Sequence, residues 1–531
     1  MHAEAEPPAR DPILADDVRR LHALGYAQEL ARRLGAFSNF ALSLSIICIL
    51  AGGVTSFHLG LCSVGGAAIG LGWPLAGLFA LAVAATMGQL ASTFPTAGGL
   101  YHWSAILGGR GWGWTTAWFN LAGLVTVLAA INVGTYRFAI GAFGVGPWST
   151  ELEPAAQALG VVLITGTQAA INHLGIRATA RLTDFSGYWI LLVAAAMTAC
   201  LLAFAPGIDP SRLARFENFS GTAGGGVWPA TERLLVLFAL GVLLPAYTIT
   251  GFDASAHAAE ETLGASANVP RGIVRSVLVS GVAGWILLAA VVLAAPGLPQ
   301  AAARGEGAFL WIMTSVLPRP LVLALCAGIV LAQYLCGLAT VTSASRMAYA
   351  FARDGGLPFS HALRRVCPRR RSPVVAIWVV ALAAVLFTIH TPVYSTITAV
   401  CTILLYVSYV LPTALGAWAY GRTWTAMGPW DLGRGYRPLA VLSVAGCAGL
   451  IAIGMQPPNE RSAWVVGAFA ILLAAAWFAG VRHRFPGPPR QASVLGQGEV
   501  PSQPIDLNRR GAPDGGNPFV EATAERPRFG C

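Results

Sequence analysis

The sequence predicts an all-α membrane protein of twelve transmembrane helices, the first and sixth of them broken. Three observations carry this. Apolar residue types make up 55% of the chain and charged types only 11%, where a soluble domain carries about a quarter charged residues. Runs of roughly 20 apolar residues, the length that crosses a bilayer as a helix, recur from Phe37 to Ala479. Two of these runs, five apart in order, contain glycine or proline near their middle.

In chain order the spans are expected at 37–60, 66–91, 113–144, 156–172, 183–205, 233–259, 272–296, 318–351, 373–390, 393–420, 437–456 and 462–481. The eighth is long enough to run past the bilayer. The spans divide the chain into a polar N-terminal extension (1–34), a transmembrane domain (35–482) and a tail (483–531). The extension lacks a cleavable signal pattern. The tail is rich in Pro, Gly, Gln and Arg and is expected to be disordered.

The net charge is +10, and all 34 basic residues are arginine. They lie in loops and tails rather than in a patch, which argues against a nucleic-acid partner. Fifteen fall in one alternating set of loops, among them Arg110, Arg271 and Arg369–Arg371, and seven in the other, among them Arg137, Arg212 and Arg304. The arginine-rich side is the cytoplasmic side. Both termini are therefore expected in the cytoplasm, with the chain a multi-pass protein of the plasma (inner) membrane. The nine cysteines lie mostly inside spans, without metal-type spacing, and read as small apolar fillers. No cofactor and no metal site is expected.

The first span holds Ala51-Gly52-Gly53 near its middle, where adjacent glycines weaken a helix and admit other backbone or a ligand. The sixth holds Pro245, which cannot donate to the preceding turn, and then Gly251-Phe252-Asp253. Interruptions at matching positions of two halves point to an inverted-repeat transporter. Unwound backbone at membrane depth is tolerated only where protein or a water-filled cavity covers it. The candidate substrate-binding residues are therefore Ala51, Gly52, Gly53, Tyr247, Thr248, Thr250, Gly251 and Phe252. The competing reading is that the glycines serve close helix packing and Pro245 a kink.

Asp253 is the sharpest single residue, since an ionisable group inside a span is costly. It is read either as a coupling or gating carboxylate or as the N-cap of a second half-helix starting at Ala254. His257, one turn on, is expected to be a polar packing residue, and Glu260 and Glu261 to be interfacial and loop-contacting. Asn120, Asn132, Gln333, Thr342 and Ser345 are expected to make interhelical hydrogen bonds. Thr340 and Ser343 share one face of span 8, and their hydroxyls are candidate ligands of a sodium ion.

Five stretches in order, "FPTAGGLYHWSA" (94–105), "GFDASAHAAEET" (251–262), "NVPRGI" (268–273), "SASRMAYAFARDGGLPFS" (343–360) and "GPWDLG" (428–433), resemble the amino acid–polyamine–organocation superfamily. Within it they resemble the amino acid/choline branch, which includes amino acid and GABA permeases, over residues 25 to 480. The resemblance implies the LeuT-type fold, a 5+5 inverted repeat plus two extra helices, with a central site between spans 1, 3, 6, 8 and 10. Relatives often carry Gly-Ser-Gly at the break in span 1. Here Ala51-Gly52-Gly53 stands there, so a serine contact is lost. Some relatives replace a sodium ion by a lysine on span 5, and this chain has no lysine. Coupling to H+, coupling to Na+ and exchange all stay open.

The function implied is a secondary transporter, not an enzyme, for an amino acid or related amine such as GABA, working by alternating access. A choline or polyamine transporter, an exchanger and a non-transporting sensor are the alternatives of the same fold. A channel should show a selectivity ring or filter, and a membrane enzyme clustered His, Asp, Glu or Cys; neither stands out. Tyr247, Phe252, Tyr334 and Tyr406 could supply rings around an amine. The expected partners are the small-molecule substrate and the lipid bilayer.

Overall fold

The structure, a computed structural model, describes residues 11–144, 154–390 and 394–489. Residues 1–10 of the extension and the expected tail from 490 onward lie outside the described residues. Among those described, all regular structure is helical apart from two isolated bridges. Ten helices are long and apolar enough to cross a membrane, and two shorter apolar helices, Leu234–Thr248 and Val374–His390, accompany them. The shortfall from the expected twelve has a simple geometric reason. The segment at 233–259 is divided, and Val374–His390 has only 17 residues.

The N-terminal segment begins with α1 (Pro12–Ala23), whose Asp11 side chain accepts from the Ile13 amide at 2.9 Å. The first apolar segment comprises α2 (Ala36–Ile47), a π-helical turn at Ile49–Gly53, and α3 (Phe57–Val64). Then come α4 (Trp73–Thr93), α5 (Leu100–Gly108), α6 (Arg110–Phe143), α7 (Pro154–His173) and α8 (Ile176–Phe204). The sixth segment comprises α9 (Leu234–Gly241), α10 (Leu243–Thr248) and the single turn α11 (Ala254–His257). After α12 (Ala265–Ala294), the short α13 (Leu298–Ala302) and α14 (Ala308–Val316) lead into α15 (Arg319–Arg353). The short α16 (Ser360–Leu363), then α17 (Val374–His390), α18 (Tyr394–Ala419), α19 (Tyr436–Gly454) and α20 (Glu460–Ala476), complete the bundle.

Large apolar side chains on the perimeter face outward, including Leu235 at 81%, Trp464 at 80% and Ile471 at 72% exposed. Such a surface is unfavourable in water and matches lipid. The middle of the bundle is built from α6 and α15, most of whose residues are buried. Polar side chains tie these long helices to α7. Asn132 donates to Thr165 Oγ1 at 2.8 Å and to Gln168 Oε1 at 2.9 Å, and Thr342 donates to Asn172 Oδ1 at 2.7 Å. Gly337 leaves room for that layer, since a Cβ there would stand 2.3 Å from Gln168 Nε2.

One end of the bundle is closed by the N-terminal segment. The buried Asp17 carboxylate accepts from the Gly264 and Ala265 amides at 2.7 and 3.0 Å, at the N-terminus of α12, where free N–H groups and the helix dipole favour an anion. Arg32 donates to the Ala259 and Thr262 carbonyls at 3.0 and 2.6 Å, and Gln28 to the Glu260 carbonyl at 2.9 Å. Leu34 pairs with this stretch through Leu34 N to Glu261 O at 2.9 Å and Leu263 N to Leu34 O at 2.9 Å. Residues 259–265 are thus stitched to the extension through their backbone.

Candidate functional site

The two interrupted segments meet in the bundle interior. In the first, helical geometry stops at Cys48 (φ −9°, ψ 97°), three residues before the expected Ala51. Its carbonyl accepts from both the Ala51 and Gly52 amides, at 2.8 and 3.1 Å. The glycines therefore sit inside a π-helical turn, and the Gly52 N–H is occupied. In the second, Ile249 (φ −92°, ψ 58°) ends α10, and Gly251 takes φ +81°, which favours glycine. Pro245 lies within α10 rather than at the gap. The segments touch at Gly52, where a Cβ would stand 2.8 Å from Thr248 Cα.

Backbone groups near the interruptions are satisfied by side chains from neighbouring elements, as buried polar groups require. Gln333 donates to Leu50 O at 3.0 Å, Ser43 to Phe252 O at 2.8 Å and Tyr406 to Ala246 O at 3.2 Å. The Gly251 amide donates to the Tyr409 hydroxyl at 3.0 Å. Thr248 and Thr250 bond back to Leu244 O and Tyr247 O, each at 2.8 Å. The Phe252 ring lies 4.9 Å from the Tyr409 ring and Tyr406 5.8 Å from Tyr409. Tyr334 is elsewhere, donating to Thr167 on α7.

Asp253 is fully buried and precedes α11, but its side chain makes no capping bond there. The carboxylate is taken by three other groups instead. Tyr409 donates to Oδ1 at 2.9 Å, Asn120 to Oδ2 at 2.9 Å, and His257 Nε2 lies 3.1 Å from Oδ2. His257 is thus a direct partner of Asp253 rather than a packing residue. Asn120 joins the acid to α6 and also donates to Ser408 on α18 at 3.2 Å.

Glu260 and Glu261 are not interfacial. Both are wholly buried, Glu260 bound by Arg353 through two 2.9 Å bonds and Glu261 by Arg346 at 2.8 and 3.2 Å. Arg346 and Arg353, two of the fifteen arginines expected in the cytoplasmic loops, lie inside α15. Beside them Asp354 accepts from the Tyr26 and Tyr101 hydroxyls, each at 2.8 Å, and lies 3.0 Å from His102 Nε2. The Arg353 guanidinium stands 3.8 Å over the Tyr26 ring. Oppositely charged neighbours are what make full burial of these charges tolerable.

At the opposite end the interior is less filled. A cavity is lined by Ser56, His58, Leu243, Tyr247, Thr402 and Asn459, among others. A second holds the Arg137–Glu306 pair at 3.1 Å. Tyr247 is thus the candidate residue that lines a cavity, while Gly52, Thr248 and Gly251 form the contact beneath it. Thr340 bonds to Cys336 O of its own helix at 2.9 Å, and the buried Ser343 hydroxyl has no hydrogen-bond partner. Among the described residues no three or more His, Cys, Asp or Glu side chains converge as a metal site would require.

Asn120, expected to hydrogen-bond between helices, does so to Asp253 and Ser408. Ser43 and Tyr409 were hardest to find in sequence, because only the fold brings them to a freed carbonyl and to Asp253. The wider similarities fit this arrangement. Residues 34–477 match the family described as "Amino acid permease". The chain is 31% identical over 516 residues to "Amino-acid permease BAT1" of Arabidopsis thaliana, covering 90% of this chain and 97% of the relative. It is 32% identical over 505 residues to the "Amino-acid permease BAT1 homolog" of Oryza sativa subsp. japonica, covering 88% and 95%. "Amino-acid permease 2" of Neurospora crassa is 26% identical over 507 residues, covering 92% and 91%. The match takes in both interrupted segments, Asp253 and the buried ion pairs, and the chain belongs to the amino acid permease family.

Proposed function

We propose that this permease carries an amino acid, or a related amine such as GABA, across the plasma (inner) membrane by alternating access. In this reading the two interrupted segments are helices 1 and 6 of a twelve-helix, LeuT-type 5+5 inverted repeat with two further helices. The end closed by the N-terminal segment is the cytoplasmic end. The observation that carries the reading is the contact of the two interrupted segments at Gly52 and Thr248, below a cavity that reaches Tyr247.

A substrate carboxylate would lie toward Ala51–Gly53 and an amino group toward the end of α10, since helix N-termini favour anions and C-termini cations. The Gly52 amide donates to Cys48 O in this structure, so binding there requires the π-helical turn to rearrange. Asp253 is the coupling or gating carboxylate, held by groups from three helices. An ion site at Thr340 and Ser343 draws support from the unpartnered Ser343 hydroxyl. The test is uptake of a panel of labelled amino acids and GABA into proteoliposomes. Wild-type protein should accumulate at least one of them, and Asp253→Asn should still bind it while losing pH-dependent net uptake. No uptake of any panel member would refute the reading.

A further inference from the structure

The two ring nitrogens of His257 determine how many protons the Asp253 site holds. Nδ1 lies 3.2 Å from the Ala97 carbonyl oxygen. A carbonyl only accepts, so Nδ1 carries a hydrogen. Nε2 lies 3.1 Å from Asp253 Oδ2, and a hydrogen bond there needs a proton on one of those two atoms. The pair therefore holds two protons, one on Nδ1 and one shared between ring and carboxylate. Whether it is written as imidazolium with carboxylate or imidazole with carboxylic acid, its net charge is zero.

Removing the shared proton would leave one negative charge on two side chains that are 0% exposed, and burial opposes this strongly. Among the described residues, no arginine pairs with either side chain. The other groups on Asp253 are Tyr409 from α18 and Asn120 from α6, both neutral donors. Beyond the ring, the Ala97 amide donates to Glu260 Oε1 at 3.0 Å, and that carboxylate is already matched by Arg353. Ala97 is thus held on one side by His257 and on the other by the ion pair that closes the end of the bundle. If Glu260 and Arg353 part, Ala97 is released and the ring loses the acceptor that fixes its Nδ1–H.

We infer that Asp253 and His257 together form a proton-binding site with one transferable proton, and that this proton is the ion moved with the substrate. The inference rests on the transport reading above and names its coupling ion. The step is a simple transfer. The shared N–H or O–H bond breaks, the proton passes to water admitted when the closed end opens, and carboxylate with neutral imidazole remains until a proton returns from the other face.

Two measurements on the full chain in proteoliposomes test it. Solid-state NMR of ¹⁵N-histidine protein, with His257→Gln to identify the ring, should show Nδ1 of His257 protonated at neutral pH. Asp253→Asn should leave Nδ1 protonated and Nε2 bare. A bare Nδ1 in the wild-type protein overturns the inference whatever the transport results. In the second measurement, amino acid uptake should carry protons inward in the wild type. His257→Gln and Asp253→Asn should lose that proton movement while substrate exchange persists. Wild-type proton movement in both variants also overturns the inference. A wild-type protein that moves no amino acid refutes the proposed function instead, and the ring measurement then decides the proton site alone.

Discussion

A single methyl group added at Gly52 should force the two interrupted segments apart, while the same change at Gly53 should not. A Cβ at Gly52 would stand 2.8 Å from Thr248 Cα, 3.0 Å from its Oγ1 and 3.1 Å from its Cβ. Carbon atoms in contact prefer about 3.5–4.0 Å, so α10 would have to retreat by roughly 0.7 Å or more. No side-chain rotation avoids this, because the closest atom is backbone and the Thr248 hydroxyl is bonded to Leu244 O. Overpacking of this kind costs about 1–3 kcal/mol, equivalent to about 5- to 150-fold in a binding equilibrium. A Cβ at Gly53 would instead meet Leu288 at 3.6 Å and Trp73 at 3.9 Å, which is ordinary contact. Gly52→Ala should therefore lose substrate affinity within that range and melt at lower temperature, with Gly53→Ala much closer to wild type, since its Cβ meets only ordinary contacts. Binding of labelled amino acid and thermal unfolding of the purified variants measure both. Wild-type affinity in Gly52→Ala, or equal loss in the two variants, would refute the packing argument.

Glu260→Gln leaves the Arg353 guanidinium buried without its carboxylate and should destabilise the protein by about 3–5 kcal/mol; adding Arg353→Gln should recover part of the lost melting temperature. Asp17→Ala exposes the first amides of α12 and should cost about 1–2 kcal/mol, the scale of a lost N-cap, read in the same melts. Burial pushes the carboxyl of Asp354 upward, but hydrogen bonding to His102, the His102 charge and Arg353 outweigh it and hold the group below the usual carboxylate range. Burial likewise pushes Glu260 up, and Arg353 with the Ala97 amide pulls it below that range. Both carboxyls thus contribute stability that is fully present above about pH 4, the unfolded value, and is lost as pH falls through their depressed folded values. Melting temperature should drop on acidification below that point, and less steeply in Asp354→Asn.

The membrane class could be read because it depends on composition and run length, which the chain states directly. The interruption of the sixth segment was equally legible, since Gly251 adopts the positive φ that its type allows. The first was placed three residues late. Cys48 carries no mark of a helix end; the carbonyls flanking it, Leu50 O and Ile46 O, are taken by Gln333 and Cys336 of the facing α15. The ion pairs were missed for a related reason. Glu260, Glu261, Arg346 and Arg353 look like boundary residues until charges 85 and 93 positions apart meet. Asp253 could be singled out by its cost in an apolar run. Its pairing with Asn120 and Tyr409 could not, because contacts across 133 and 156 residues leave no local pattern, while His257, four residues on, was read as a packing residue.

In the stretch from Phe94 to Gly99, the Thr96 hydroxyl bonds His102 Nδ1 at 2.6 Å, and the remaining polar contacts run through the main chain. Phe94 O takes the Trp103 indole N–H at 3.0 Å, and Ala97 offers its N–H to Glu260 and its C=O to His257. At Phe94 and Ala97 the partners recognise a position along this loop rather than a side chain. Its length should consequently be under tighter constraint than its spelling. A conservative exchange at Ala97 would keep its amide and carbonyl in place, whereas inserting or deleting one residue would move the whole loop at once and disconnect the Asp253 site from the closed end of the bundle.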